Sequence, residues 1–300
     1  MAVTTVIISG SNGFVGQNLG SYLNSDRFKV YPLSLRDEWE QQIPDQYDVT
    51  IHLAGKAHDI KNSSNPKEYF HVNTDLTKQL FGQFLRSNAR DFIYFSSVKA
   101  VADTVEGVLD EFVSPDPQTP YGQSKWQAEQ YLNSQPLPAG KRVFILRPCM
   151  IHGPGNKGNL NLLYKMVKTG LPYPLAAFQN RRSFLSIDNL QFVVKSLITN
   201  PDIPSGTYNL ADDEALSTNE LIRIIGEARG RRTRLWRLSP GLINGVAKLG
   251  DKFKLPLNTE RLKKLTENYV VGNTKIKNEL KIAHMPISAR EGLLKTLRSF

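Results

Sequence analysis

Apolar positions along the chain recur with two alternating periods. Val3 to Ser9 is a short, β-branched apolar run, and Val15, Leu19 and Leu23 after it repeat every four residues, on one face of a helix. Strand-like runs return at Lys29 to Leu33, Asp48 to Leu53, Phe92 to Phe95 and Arg142 to Leu146. Helical stretches lie between them. One starts at Asn65-Pro66, with Asn at the cap and Pro at the first helical position, and continues to about Arg86. Another covers Tyr121 to Asn133. Strands alternating with helices predict an α/β fold, a doubly wound parallel sheet with helices on both faces. The strands lack polar alternation, as burial on both sides requires.

The pattern changes after Pro148. A glycine-rich loop at 153–158 precedes a helix from Leu160 to Lys168, then a strand from Phe184 to Ile187 and a helix from Asp188 to Thr199. Beyond Leu210 the periodicity is mainly helical, near 218–229, 241–251, 259–266 and 288–298. We expect residues 1–155 with 183–210 to form the sheet domain. Residues 156–182 with 211–300 are expected to form a smaller, mainly helical lobe over it.

The break between the first strand and the first helix is Gly10-Ser-Asn-Gly13-Phe-Val-Gly16. Gly10 can supply the tight turn, Gly13 lets backbone approach a pyrophosphate, and Gly16 lets the helix lie close on the strand. Dinucleotide binding is the expectation in this context. At the end of the second strand stand Ser34 and Arg36, where an NAD-binding unit carries a ribose-binding acid. Arg36 could accept a 2′-phosphate instead, or could be a surface arginine. His52-Leu-Ala-Gly55 ends the third strand with small residues that leave room for a ligand, and Asn73 sits mid-helix beyond it.

Tyr121 and Lys125 are four apart, on one helical face, so the ammonium is expected to stabilise the phenolate and lower the tyrosine pKa. Ser97, at the end of the fourth strand, could hydrogen-bond the same substrate oxygen. A second pair with this spacing, Tyr164 and Lys168, follows no strand ending in serine and lies in an amphipathic helix, where packing explains Tyr164. Tyr121 is therefore the expected acid/base.

In combination these residues resemble an extended short-chain dehydrogenase/reductase of the nucleotide-sugar epimerase/dehydratase type. The matching segments are Gly10-x-x-Gly13-x-x-Gly16, His52-Leu-Ala-Gly55, Asn73, Ser96-Ser97, Tyr121-x-x-x-Lys125, Arg147-Pro148, Gly153-Pro-Gly155 and Arg182-Ser-Phe-Leu-Ser-Ile-Asp188. The resemblance implies a Rossmann-type fold and an NAD(P)(H) cofactor. It puts Gly10, Gly13, Phe14, Val15 and Gly16 around the pyrophosphate, and Leu53, Ala54, Gly55 and Asn73 along the cofactor. It also implies that Lys125 reaches the nicotinamide ribose and that Pro148 lies beside the nicotinamide. Asn159 and Leu160 match positions lining a nucleotide-sugar, and Arg182 matches a diphosphate-gripping arginine. The implied reaction moves hydride at C4 of the sugar while Tyr121 moves the proton on the C4 oxygen.

Departures narrow the reaction. Val98-Lys99 stand where 4,6-dehydratases carry an acidic pair, so dehydration is not expected. Val101-Ala102 and His152 replace common family residues on what is expected to be the sugar side. The stretches Ser96-Ser-Val-Lys99, Tyr121-Gly-Gln-Ser-Lys-Trp126 and Asn180-Arg-Arg-Ser183 are similar to bacterial surface-polysaccharide enzymes acting on UDP-N-acetylhexosamines or their 4-keto-6-deoxy derivatives. The expected activity is 4-ketoreduction of a UDP-4-keto-6-deoxy-N-acetylhexosamine, with a UDP-hexose(NAc) 4-epimerase as the alternative. A non-catalytic dinucleotide-binding regulator is the outside alternative.

Composition restricts the setting. Hydrophobic content of 40% and charged content of 22% describe a globular chain, and no run of 18 apolar residues exists. The N-terminus enters a strand at once, so no signal peptide is expected. Cys149 is the only cysteine, so internal disulfides and cysteine zinc clusters are excluded, and a cytoplasmic setting is expected. The formal charge is +10, much of it in Arg229, Arg231, Arg232, Arg234 and Arg237. Such a cluster could hold nucleic acid or an anionic membrane surface. A solvated face is the expectation, since no nucleic-acid-binding motif accompanies it. The expected partners are thus a UDP-sugar and a second copy in a homodimer, with no nucleic acid, metal or stable membrane insertion.

Overall fold

The β-branched runs form strands and the four-residue repeats form helices, in the predicted alternation. The structure is a computed structural model that describes residues 3–36, 38–57, 65–156, 159–253 and 257–300, the side chains of Asn159 and Lys264 excepted. The chain opens with β1 (Thr4–Ser9), α1 (Phe14–Leu23), β2 (Phe28–Leu33) and β3 (Val49–His52). Then come α2 (Pro66–Phe70), α3 (Leu76–Arg86), β4 (Asp91–Phe95), β5 (Val108–Leu109), α4 (Pro120–Ser134) and β6 (Arg142–Pro148). Next are β7 (Met150–His152), α5 (Asn159–Lys168), β8 (Phe184–Ser186), α6 (Ile187–Thr199) and β9 (Gly206–Leu210). The remainder is α7 (Thr218–Ala228), α8 (Pro240–Phe253), α9 (Thr259–Thr266), β10 (Val270–Val271), α10 (Thr274–Leu280) and α11 (Ala289–Arg298).

Six strands make one parallel sheet in the order β2-β1-β3-β4-β6-β9, a Rossmann-type arrangement. Strand pleating sends alternate residues to opposite faces. Val6, Ile8, Ile51, Ile93 and Phe144 pack with Leu19 of α1 and Leu190 and Val193 of α6. Ile7, Phe92, Tyr94 and Ile145 pack on the other face with Leu80, Phe81 and Phe84 of α3 and Ala128 and Leu132 of α4. A third cluster, around Leu163, Leu221, Ile225, Ile243, Leu262 and Leu293, is the core of the C-terminal lobe.

Several features depart from the sequence pattern. The helix expected from Asn65 to Arg86 is interrupted at His71–Asp75 by a wide π turn, with Asn73 buried inside it. Such turns recur at functional sites because they re-aim side chains. Helix α10, strands β7 and β9 and the pair β5–β10 are not in the sequence reading, the last because two residues carry no period. That pair ties the loop after Ser97 to the C-terminal lobe.

Candidate active site at the crest of the sheet

Strand order reverses at β1, with β2 on one side and β3 on the other, and open α/β sheets bind ligands outside the carboxyl ends of strands at such a point. The glycine loop leaves β1 there. Gly10 has φ 71°, and a side chain on it would strike the backbone of Ala54, the amide nitrogen lying 2.7 Å from an added Cβ. At Gly16 an added Cβ would sit 2.4 Å from the Gly10 carbonyl oxygen, so only glycine lets α1 approach β1 this closely. Gly13 is different. Its one near neighbour is the Gly10 carbonyl at 3.3 Å, and it caps α1 without any side chain bonding the first-turn amides. The loop is therefore closed where it packs and open at the helix N-terminus, a fit for a pyrophosphate.

Buried polar groups connect this loop to the proposed catalytic helix. The Ala54 amide donates to Ser9 Oγ at 3.3 Å, and Ser9 Oγ lies 2.6 Å from His52 Nδ1. His52 Nε2 lies 2.8 Å from Thr77 Oγ1, and Thr77 Oγ1 donates to the Asn73 carbonyl at 2.7 Å. Because the Thr77 proton is committed, His52 donates through Nε2 and accepts at Nδ1, which makes it neutral. Burial first, and the Lys125 charge second, pull its pKa down to about 3. Asn73 continues the chain, donating to the Lys56 carbonyl at 3.0 Å and Ser124 Oγ at 2.9 Å while accepting from the Lys56 amide at 2.7 Å. Ser124 Oγ in turn donates to the Tyr121 carbonyl at 2.8 Å.

Ser97, Tyr121 and Lys125 converge beyond the end of β4. Ser97 caps a short 3-10 turn, accepting from the Lys99 amide at 3.2 Å, and its side chain hydrogen-bonds Tyr121. Tyr121 also meets the ring of Tyr69 edge-on, with centroids 6.4 Å apart. The Lys125 ammonium donates to the Phe95 carbonyl at 2.8 Å and stands 4.9 Å from the Tyr94 ring centroid. Burial lowers its pKa to about 8, opposed by the carboxylate of Glu129 one turn on. The expectation for the phenol is corrected here. Burial raises the Tyr121 pKa above its ordinary value, and the Ser97 hydrogen bond opposes this. Tyr121 is thus held in its proton-donating form.

Glu129 was not singled out from the sequence. Its fully buried carboxylate accepts from Ser96 Oγ and from Arg147, whose Nη2 is 2.5 Å and Nε 3.1 Å away. The pair locks α4 to the ends of β4 and β6. A Glu four residues after Lys125 was the available signal, since that spacing continues the same helical face.

The other candidates fall in different surroundings. Leu53 and Ala54 are half-buried where β3 ends, and Gly55 faces both Asn73 and Lys125: an added Cβ would lie 3.0 Å from Asn73 Oδ1 and from Lys125 Nζ. Phe14 and Val15 start α1, with the Phe14 ring against Gly153. Pro148 ends β6, and Ser34 and exposed Arg36 follow β2. Arg182 bridges Leu216 and Tyr269 through its backbone. Its half-buried guanidinium lies 3.8 Å from Glu267, and its charge reaches Cys149 and Tyr269. The neighbouring Arg181 turns away and donates to the Ala215 carbonyl at 3.1 Å. Leu160 is buried in the lobe core, so its backbone alone can face a ligand. The Asn159 side chain lies outside the described residues. His152, expected on the sugar side, is corrected: it is fully buried, its Nδ1 2.9 Å from Thr296 Oγ1 and its ring edge-on to Phe184. It fastens α11 to β7.

A family model, the NAD-dependent epimerase/dehydratase family, matches residues 6–211. The chain belongs to that family. A UDP-glucose 4-epimerase of Vibrio cholerae is 30% identical over 260 residues, 78% of each chain. An N-acetyl-α-D-glucosaminyl-diphospho-ditrans,octacis-undecaprenol 4-epimerase of Escherichia coli O157:H7 is 26% identical over 98% of this chain and 94% of its own. Among solved structures, dTDP-4-dehydrorhamnose reductase of Bacillus anthracis in complex with NADP superposes with a TM-score of 0.77 at 19% identity, covering 100% of this chain and 99% of that one. Members of the epimerase/dehydratase family are NAD(P)-dependent enzymes, and the glycine loop of this chain fits such a dinucleotide.

Proposed function

We propose that this member of the family performs hydride and proton transfer at C4 of a UDP-sugar, as a 4-epimerase in surface-polysaccharide precursor synthesis. The observation that carries the C4 chemistry is the meeting of Ser97, Tyr121 and Lys125 at the dinucleotide end of the sheet. Val98 and Lys99 follow Ser97 without a carboxylate, and Lys99 Nζ is spent on the Asp103 carbonyl at 2.7 Å. One proton-transfer group suits redox at a single carbon, whereas dehydration across C5 and C6 requires an additional acid and base.

In this reading Gly10, Gly13 and Gly16, with the amides of Phe14 and Val15, hold the pyrophosphate. Leu53, Ala54, Gly55 and Pro148 line the cofactor, and Asn73 and Lys125 hold its nicotinamide half in place. A bound nicotinamide dinucleotide supplies the hydride acceptor and donor. Tyr121 takes and returns the proton on the C4 oxygen while Ser97 bonds the same oxygen. Arg182 grips the diphosphate, a task suited to a forked cation. Asn159 and Leu160 line the nucleotide.

The epimerase reading rests on the two relatives that align over 78% and 98% of the chain, both 4-epimerases by name. The second reading, a 4-ketoreductase of a UDP-4-keto-6-deoxy-N-acetylhexosamine, is favoured by exposed Arg36 and by Tyr121 being held protonated. An arginine there selects an exchangeable NADPH, and a reductase needs a proton donor alone. Supplying UDP-glucose, UDP-galactose, UDP-GlcNAc and UDP-GalNAc without reductant, and separately the keto sugar with NADPH, tests both. Interconversion of a hexose pair with no net cofactor use is the expected result. Stoichiometric NADPH loss on the keto sugar alone would replace it with reduction. Dinucleotide binding without turnover of any of these substrates would remove the C4 proposal.

A further inference from the structure

Residues 229–264 contain eleven lysines and arginines against two acids, Asp251 and Glu260. Nine of the chain's ten net positive charges therefore fall in this one stretch. Arg231, Arg232, Arg234 and Arg237 are exposed, and none has an acidic partner among the described residues. A charged loop alone would be an ordinary solvated face. Helix α8, three residues after Arg237, makes it something else.

Helix α8 buries Ile243, Ala247 and Gly250 against the lobe. It also leaves Leu242 59%, Val246 40%, Leu249 54% and Phe253 63% exposed. At 100° per residue these four fall within about 60° of one another, roughly a quarter turn from the buried edge, in a stripe about 16 Å long. Lys248 and Lys252 lie on the opposite flank by the same arithmetic. Trp236, 54% exposed, stands four residues before the helix among the arginines. A water-facing helix has no reason to align its exposed aliphatic residues, because each costs hydration and none gains packing.

We propose that α8 and the basic segment before it form a docking face for a bilayer surface carrying anionic lipid. Leu242, Val246, Leu249 and Phe253 enter the boundary between headgroups and acyl chains, while the arginines lie at phosphate level. Among the described residues no helix is long and apolar enough to cross a membrane, so α8 lies in the surface. Charge chooses the occupant. A second copy seated on the same face would set like charge against like charge, since residues 229–253 carry seven lysines and arginines against one acid. A nucleic acid would satisfy the cations and leave the aliphatic stripe in water. An anionic bilayer satisfies both.

The test sediments the full chain with sucrose-loaded vesicles, either pure phosphatidylcholine or phosphatidylcholine with one third phosphatidylglycerol. The expected result is binding to the anionic vesicles only. It should fall about tenfold or more in Leu242→Asp/Leu249→Asp, since a carboxylate cannot enter the acyl boundary. These side chains are exposed, so thermal melts and NADPH binding are expected to stay at wild-type values. Arg231→Glu/Arg232→Glu should lower binding as well, with no dependence on the stripe being intact. Failure to sediment with anionic vesicles would overturn the proposal. So would salt-sensitive binding that Leu242→Asp/Leu249→Asp leaves untouched, which is adsorption by charge alone. A concentration-dependent dimer dissolved by Leu242→Asp/Leu249→Asp without vesicle binding would assign the stripe to a second copy instead. Tighter retention by single-stranded RNA than by anionic vesicles would overturn it too.

Discussion

At the crest of the sheet a fully buried histidine, His52, has both ring nitrogens engaged, and the Glu129 carboxylate meets Ser96 and Arg147 with almost no solvent contact. In the C-terminal lobe the helix α8 leaves four large apolar side chains in solvent beside exposed arginines that have no acidic partner among the described residues. Both regions keep polar and apolar surface apart, but in opposite senses. The crest spends its polar groups on each other, so that Ser97, Tyr121 and Lys125 are fixed before any ligand arrives. The lobe leaves surface unsatisfied, which is how a chain presents a face to something else. Variants on the two sides should therefore fail differently, through chemistry and stability at the crest and through recognition in the lobe.

The largest separation is expected between two tyrosines with identical spacing to a lysine. Tyr121→Phe should lower turnover about a hundredfold to ten-thousandfold, the weight of a general acid/base, while NADPH binding stays near wild type. Tyr164 in the lobe packs edge-on against Phe300, centroids 5.3 Å apart, and lies 5.9 Å from the Arg229 guanidinium. Tyr164→Phe keeps the ring and should keep turnover. Steady-state rates on the substrate panel decide the matter, and a silent Tyr121→Phe with a dead Tyr164→Phe would exchange the two assignments.

Two ion pairs give the next contrast. Glu129→Gln leaves Arg147 buried without its counter-charge and should cost about 3–5 kcal/mol by urea denaturation. Glu227 and Arg290 in the lobe have side chains 44% and 55% exposed, so Glu227→Gln should cost under about 1 kcal/mol. Equal losses would mean that burial does not separate the two regions.

The sheet half was readable because its devices demand particular residue types at fixed offsets. Gly10 and Gly16 are required by contacts of 2.7 Å and 2.4 Å, and Tyr121 and Lys125 by one helical turn. The network behind them was hidden. Ser9, His52 and Thr77 join from three separate elements, a juxtaposition that strand order creates and no local spacing announces. Likewise His152 carried a sugar-side expectation from its place in the motif, whereas Thr296, 144 residues away, holds it in the interior. The α8 stripe shows the reverse case. Its period of apolar residues was visible, but a period cannot tell which of two apolar edges is buried, and only the packing of Ile243, Ala247 and Gly250 separates them.

Arg182 lies between the two regions and should show a recognition failure. Arg182→Ala is expected to raise the KM for a UDP-sugar about ten- to hundredfold, because a charge-assisted hydrogen bond to a diphosphate is worth about 1.5–3 kcal/mol. NADPH affinity and kcat should change little. Titration of UDP alone by calorimetry reads the same contact without turnover, and an unchanged UDP affinity would leave Arg182 a structural role beside Glu267.

The last contrast concerns pH and the crest network itself. His52 is neutral in the folded chain, with its pKa pulled down to about 3 from an ordinary 6.5. Between those values the unfolded chain takes up a proton that the folded chain refuses, so stability is lost as pH falls through this window. The slope from one such group is at most about 1.4 kcal/mol per pH unit. His52→Asn removes the titration and should flatten the acid limb between pH 6 and pH 4 relative to wild type, whatever it does to stability at pH 7. Dinucleotide affinity of the folded protein is expected to stay level between pH 6 and pH 4, because His52 remains neutral there. Parallel acid limbs for the two proteins would show that the buried neutral His52 is not the group whose titration sets acid stability.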